Sequence, residues 1–188
     1  MNIRRIAVGA LLAVGLWQIA AGLYLPAKAR LAQWLIRAAW DDGRAAAAAL
    51  TPWPWADMTA VGRLRAVAHD KDFIVLSGVS GEALAFGPGH MLASAAPGSG
   101  GHTILGGHRE THFRFLEHVT PGDRFELQGI NGRRVVYEVQ QVRAVNVHDE
   151  PLILEPDRSM LTLVTCYPFD AVVPGGPWRY VVDASATL

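Results

Sequence analysis

The sequence predicts an all-β domain from about Asp57 onward, with an apolar helix ahead of it. Three observations carry this reading. Short apolar runs recur after Asp57, separated by Gly, Pro and Asn/Asp turns. Asn131-Gly132 stands between FELQGI and RRVVYEV, a strong hairpin signal. Before Asp57, by contrast, the chain holds the apolar run Ile6–Leu25 and an Ala-rich stretch at 27–50 with apolar residues at helical spacing.

Ile6 to Leu25 is a twenty-residue run with Gln18 as its only strongly polar side chain. As a helix it would span about 30 Å, the thickness of a bilayer core. Arg4 and Arg5 precede the run, Trp17 and Tyr24 lie toward its far end, and Pro26 closes it. The run is longer than the apolar core of a signal peptide, and Lys28 spoils the A-x-A-like site at 27–29. The expectation is therefore a cytoplasmic tail and transmembrane anchor at 1–26, with an extracytoplasmic remainder. A cleaved signal peptide is the alternative. The Ala-rich segment with Leu31, Trp34, Leu35 and Ala38 at helical spacing predicts a juxtamembrane stalk over 27–56. Asp41-Asp42-Gly43 is a point of interruption, and Thr51-Pro52-Trp53-Pro54-Trp55 ends the helix.

In the remaining 57–188, strands are predicted at Arg63–His69, Phe73–Ser77, Thr103–Gly106, Arg124–Leu127, Arg133–Val147, Met160–Thr165 and Trp178–Val182. Short helical pieces are predicted near Gly81–Ala85 and Thr111–Val119. Many short strands at near-regular spacing point to a closed barrel or a sandwich.

Lys+Arg and Asp+Glu each number 17 in 188 residues, so nothing favours a nucleic-acid partner, which would call for a basic face. The single cysteine excludes an intramolecular disulfide and a multi-cysteine metal site. Cys166 ends the run MLTLVT and opens a loop rich in Pro and Gly. It reads either as a buried structural thiol or as a nucleophile, which would need a nearby imidazole or guanidinium to become reactive. Of seven histidines, His108 stands out, at the end of HTILGGH and before Arg109. His108 and His112 enclose Glu110, but the glutamate is one position late for a zinc helix of the HExxH kind. Arg179 lies in the alternating stretch PWRYVV. It reads either as a fixed cation beside a developing oxyanion or as an outward arginine on an edge strand.

Taken together these pieces resemble the sortases. Thr162-Leu163-Val164-Thr165-Cys166 resembles the TLxTC signature of that family, and Ile104-Leu105-Gly106-Gly107-His108-Arg109 resembles its GHR segment. Arg179 falls where the family's third catalytic residue lies. Gly87-Pro88-Gly89-His90, Ala96-Pro97-Gly98, Phe113-Arg114 and Pro121-Gly122-Asp123 look familial too. The resemblance covers about residues 60–183. The N-terminal anchor, PWPWAD, GHRETHF and CYPFD look most like the Gram-negative branch, class GN.

The resemblance implies an eight-stranded sortase-type β-barrel with short helices, held at the inner membrane by the lipid-embedded N-terminal helix. It implies a cysteine transpeptidase that cleaves an LPxTG-like sorting signal on a client protein and passes the client to an amine acceptor. Cys166 is then the nucleophile, His108 the proton donor and acceptor, and Arg179 the oxyanion or substrate cation, with Thr165 and Tyr167 bordering the peptide. No cofactor is expected. Asp123, Glu126, Asp149, Glu150, Glu155 and Asp157 match no dedicated calcium loop. His90, His102, His112 and His118 are left as structural or surface residues. A peptidase that only hydrolyses the thioacyl intermediate stays open, as does a non-catalytic anchored barrel that binds a partner. An L,D-transpeptidase is set aside for want of its SHGC-like cysteine context.

Overall fold

The computed structural model describes residues 3–171 and 175–187, with the side chains of residues 3–10, 14, 16, 19–22, 25 and 26 excepted. Two compact units divide the chain between Leu35 and Ile36.

Helix α1 runs over Ile3–Ala46. In its first part Leu11, Leu12, Trp17, Leu23 and Tyr24 are exposed. Much of the apolar run at 6–25 that carries the anchor expectation lies outside the described side chains. Among the described residues no helix is long and apolar enough to cross a membrane.

From Ile36 the helix belongs with the barrel. Ile36 packs with Met58, Leu76 and Ala83, and Ala39 and Trp40 pack with Ala60. This burial explains why Asp41-Asp42-Gly43 does not interrupt the helix as the sequence predicts, because most helical stability in proteins comes from a packed face rather than from propensity. Gly43 serves a close approach instead: a Cβ there would lie 2.6 Å from the Ala48 carbonyl oxygen. The helix stops at Ala46, earlier than the Thr51–Trp55 stretch, with Ala47 in the left-handed region and the Ala48 N–H donating to the Gly43 carbonyl. Trp53 packs edge-on against Phe86, while Trp55 is exposed.

Eight strands follow: β1 (Ala60–Ala66), β2 (Lys71–Ser77), β3 (Gly89–His90), β4 (His102–Gly106), β5 (Arg124–Gly129), β6 (Arg134–Asn146), β7 (Met160–Cys166) and β8 (Trp178–Ala186). They close into one barrel in the order β1-β2-β3-β4-β7-β8-β6-β5. The short helix α2 (Gly81–Phe86) and a 3-10 turn at Arg114–His118 complete the fold. Closure removes the free edges that an open sheet would expose. β1 shows the two-residue period most plainly, with Ala60, Gly62, Leu64 and Ala66 buried and the residues between them half-buried. Leu64, Val75, Leu105, Phe125, Leu127, Tyr137, Leu161, Leu163 and Val182 fill the barrel, and Phe113, Phe115 and Leu116 join the same core. The β5–β6 hairpin turns at Asn131-Gly132, with Gly132 at φ +80° as the sequence predicts.

Two pairings position everything that follows. β4 and β7 are parallel, and β7 and β8 are antiparallel. The C-terminal ends of β4 and β7 and the N-terminal end of β8 meet at one rim.

Candidate active site

Cys166 is the last residue of β7, and its ladder partner on β8 is Arg179. Residues directly opposite on antiparallel strands place their side chains on the same face, about 5 Å apart at Cβ. The β4–β7 ladder pairs His102 with Met160 and ends at Gly106 and Val164. His108 and Cys166 each lie two residues beyond that last pair, so the parallel register delivers both to the same level of the rim. Val79, Leu84, Met91, Ile104, Val147, Leu152 and Val164 join His108, Cys166 and Arg179 around one cleft of about 390 Å³. The thiol is half-buried and the imidazole exposed.

β8 lies between β7 and β6, so Arg179 is not on an edge strand. Its Nη1 donates to the carbonyls of Gly176 and Trp178, both at 2.8 Å. Those bonds hold the guanidinium at the mouth of the cleft, opposite the thiol.

The turn bearing His108 is fixed by its own backbone. The His108 carbonyl accepts from the N–H groups of Thr111 and Phe113 at 3.3 and 3.0 Å. Gly107 lies against the Phe113 ring, where a Cβ would fall 2.7 Å from ring carbons, so only glycine allows this close approach. Thr165 is buried and lines the cleft, and its Oγ1 donates to the Gly107 carbonyl at 2.7 Å. Tyr167 stands elsewhere: it packs against Tyr180 and Phe169 and does not line the cleft.

The remaining histidines divide by environment. His90 and His102 are buried and hydrogen-bonded, and burial pushes both imidazoles below their ordinary value of 6.5. His112 packs edge-on against Phe73 and is lowered by burial and then by the neighbouring His108. His102 joins a polar chain behind the cleft. Its Nδ1 accepts from the Glu155 N–H at 3.1 Å, and its Nε2 lies 2.9 Å from Thr162 Oγ1. Thr162 donates on to Asp183 at 2.7 Å, and Arg143 joins Asp183 to Glu150. This chain anchors the segment between β6 and β7 that supplies Val147 and Leu152 to the cleft. Of the acidic residues considered for calcium, Asp123 pairs with His69, Glu126 with Arg65 and Arg134, and Glu155 with Arg158. Among the described residues no three His, Cys, Asp or Glu side chains are grouped to hold a metal ion.

Sequence reasoning missed the arginines beside the site. Arg109 is buried, and Arg114 donates to a carbonyl in the loop after Cys166. An arginine directly after His108, with a second five residues on at Arg114, was the signal available.

Residues 64–187 match the sortase domain family. The chain belongs to the sortase family. Sortase D of Bacillus subtilis (strain 168) is 33% identical over 109 residues, which is 57% of this chain and 54% of that protein. This sortase thus spans about half the length of that curated relative. Among solved structures, sortase A from Corynebacterium diphtheriae superposes with a TM-score of 0.62 at 28% identity, covering 71% of this chain and 63% of the other. A pilus-related sortase C of Group B Streptococcus gives a TM-score of 0.59 at 25% identity, covering 69% and 68%.

Proposed function

We propose that this sortase is a cysteine transpeptidase of the Gram-negative class GN branch that cleaves an LPxTG-like sorting signal and transfers its client to an amine acceptor. The observation that carries the reading is the convergence of His108, Cys166 and Arg179 on one largely apolar cleft. The Cys166 thiolate attacks the carbonyl carbon that follows threonine in the signal. The tetrahedral oxyanion forms beside the Arg179 guanidinium, a donor already aimed by two carbonyls before charge develops. The C–N bond breaks as His108 gives its proton to the leaving amine, which leaves a thioester on Cys166. An acceptor amine then attacks the thioester, His108 takes its proton, and the C–S bond breaks to restore the thiolate.

The apolar run at 6–25 supports a single membrane span, with the catalytic domain outside the inner membrane and the N-terminus in the cytoplasm. GHRETHF, CYPFD and PWPWAD support the class GN placement.

The test is acyl transfer from a sorting-signal peptide to an added amine. Wild-type protein forms a thioester on Cys166, and Cys166→Ala forms neither thioester nor product while keeping its fold. Persistent transfer by Cys166→Ala sinks the mechanism. Hydrolysed peptide as the sole product, with or without amine, would establish the peptidase reading instead. Recovery of the full chain in the soluble fraction of cells would remove the anchor.

A further inference from the structure

Arg109 follows His108 directly, yet its side chain turns inward and is 2% exposed. Nη1 donates to the Pro168 carbonyl at 3.0 Å, Nη2 to the Ala171 carbonyl at 3.1 Å, and Nε to Glu110 at 2.8 Å. Arg114 adds a bond from Nη1 to the Phe169 carbonyl at 3.0 Å. These carbonyls belong to the loop that leaves Cys166, where the β7 ladder has ended. On the other side of the same two residues, the Gly107 N–H donates to the Val164 carbonyl at 3.1 Å and Thr165 Oγ1 to the Gly107 carbonyl. His108 and Cys166 are therefore bracketed. The sheet ties the residues before them, and the guanidinium ties the residues after them.

Burying a guanidinium is costly unless its donors and charge are met. A loop can be packed down by apolar side chains without that cost. What the planar fork adds is fixed geometry, with two carbonyls three residues apart held at once.

We propose that Arg109 is a positioning residue of this site: its guanidinium fixes the turn that carries His108 against the loop that leaves Cys166, and so sets the separation of imidazole and thiol. The inference rests on the roles proposed above for those two residues. Arg109 does not line the cleft; it acts through the two loops. A lysine there is a point charge on a flexible stem and cannot hold Pro168 and Ala171 together.

The test uses the full chain with Arg109→Lys, Arg109→Ala and Arg114→Ala, each assayed for transfer, thermal midpoint and alkylation of Cys166 by iodoacetamide. Arg109→Lys is expected to lower kcat by about 100-fold, the cost of a misplacement near 1 Å, with KM within about twofold of wild type. Cys166 stays open to alkylation, and the folded fraction at assay temperature is unchanged. Guanidinium added below denaturing concentration restores part of kcat in Arg109→Ala, which a purely structural role would not produce. If Arg109→Ala does not fold, Arg114→Ala carries the test through the Phe169 carbonyl, with an expected kcat loss of about fivefold and KM unchanged. The inference is overturned by an unchanged kcat in Arg109→Lys, by a rise in KM with kcat retained, or by a kcat loss equal to the loss of folded protein. Thioester formation in wild type with full kcat in Arg109→Lys sinks this inference alone. Transfer by Cys166→Ala sinks the proposed function, and this inference with it.

Discussion

Cys166 and Arg179 share one rung of the β7–β8 ladder, which makes their separation a property of the sheet rather than of a flexible loop. The Arg179 donors are also pre-aimed, with Nη1 held by Gly176 and Trp178. On its proposed role as an oxyanion donor, Arg179→Ala is expected to cut kcat by about 100-fold or more, with the thermal midpoint little changed. An equal loss of fold would assign it to structure instead. A second residue-scale outcome concerns pH. Burial lowers His90, His102 and His112 in the fold, so their folded values lie below the 6.5 of the open chain. As pH falls below about 6.5 the unfolded chain takes up protons that the folded one resists, and stability declines until the folded values are passed. The depressed carboxyls of Asp72 and Asp123 act only at lower pH, around and below 3.8. The thermal midpoint should thus drop between pH 7.5 and pH 5, and His102→Gln should flatten that slope. A flat wild-type profile over this range would contradict the account. That Cys166, His108 and Arg179 share one cleft was legible in the sequence because each ends or opens a recognisable run: MLTLVT, HTILGG and WRYVV. The setting of Arg109 was not, because it donates to backbone carbonyls of residues 168 and 171, and carbonyls have no sequence signature.

At the level of elements, the two-residue period exposed most strands, and Asn131-Gly132 marked its hairpin. β3 escaped because it is two residues long and draws its order from β2 and β4 rather than from a pattern of its own. The continuity of α1 through Asp41-Asp42-Gly43 escaped for a similar reason. Their stability is tertiary, from Ile36 and Trp40 seated on Met58, Ala60 and Leu76, and so outweighs the poor helix preference of Asp41-Asp42-Gly43. Trp40→Ala should cost about 3–5 kcal/mol in chemical denaturation. Trp40→Phe should cost much less, because the buried indole Nε1 has no hydrogen-bond partner to lose. A large loss in the phenylalanine variant would point to a role for that N–H.

For the whole molecule, Ile36–Leu188 forms one compact unit that takes in the end of α1 together with the barrel. A chain cut to residues 36–188 should fold cooperatively and keep Cys166 reactive toward an alkylating reagent. A chain cut to 57–188 uncovers Met58, Ala60, Leu76 and Ala83 and should lose several kcal/mol, by the apolar area laid bare. Equal stability of the two would show that the helix end contributes nothing to the barrel. Ring order was not legible in the sequence, since closure depends on β5 meeting β1 and β6 meeting β8, and neither contact leaves a local mark. The parallel register of β4 and β7 also governs which length changes the protein can survive. Because the β4–β7 ladder ends two residues short of both His108 and Cys166 and so brings them abreast, the connecting segments between them can gain or lose residues across evolutionary time without parting the pair. One residue inserted within Leu161–Thr165 would instead turn the thiol to the opposite face of the sheet, and the lineage carrying it would keep a barrel without its chemistry.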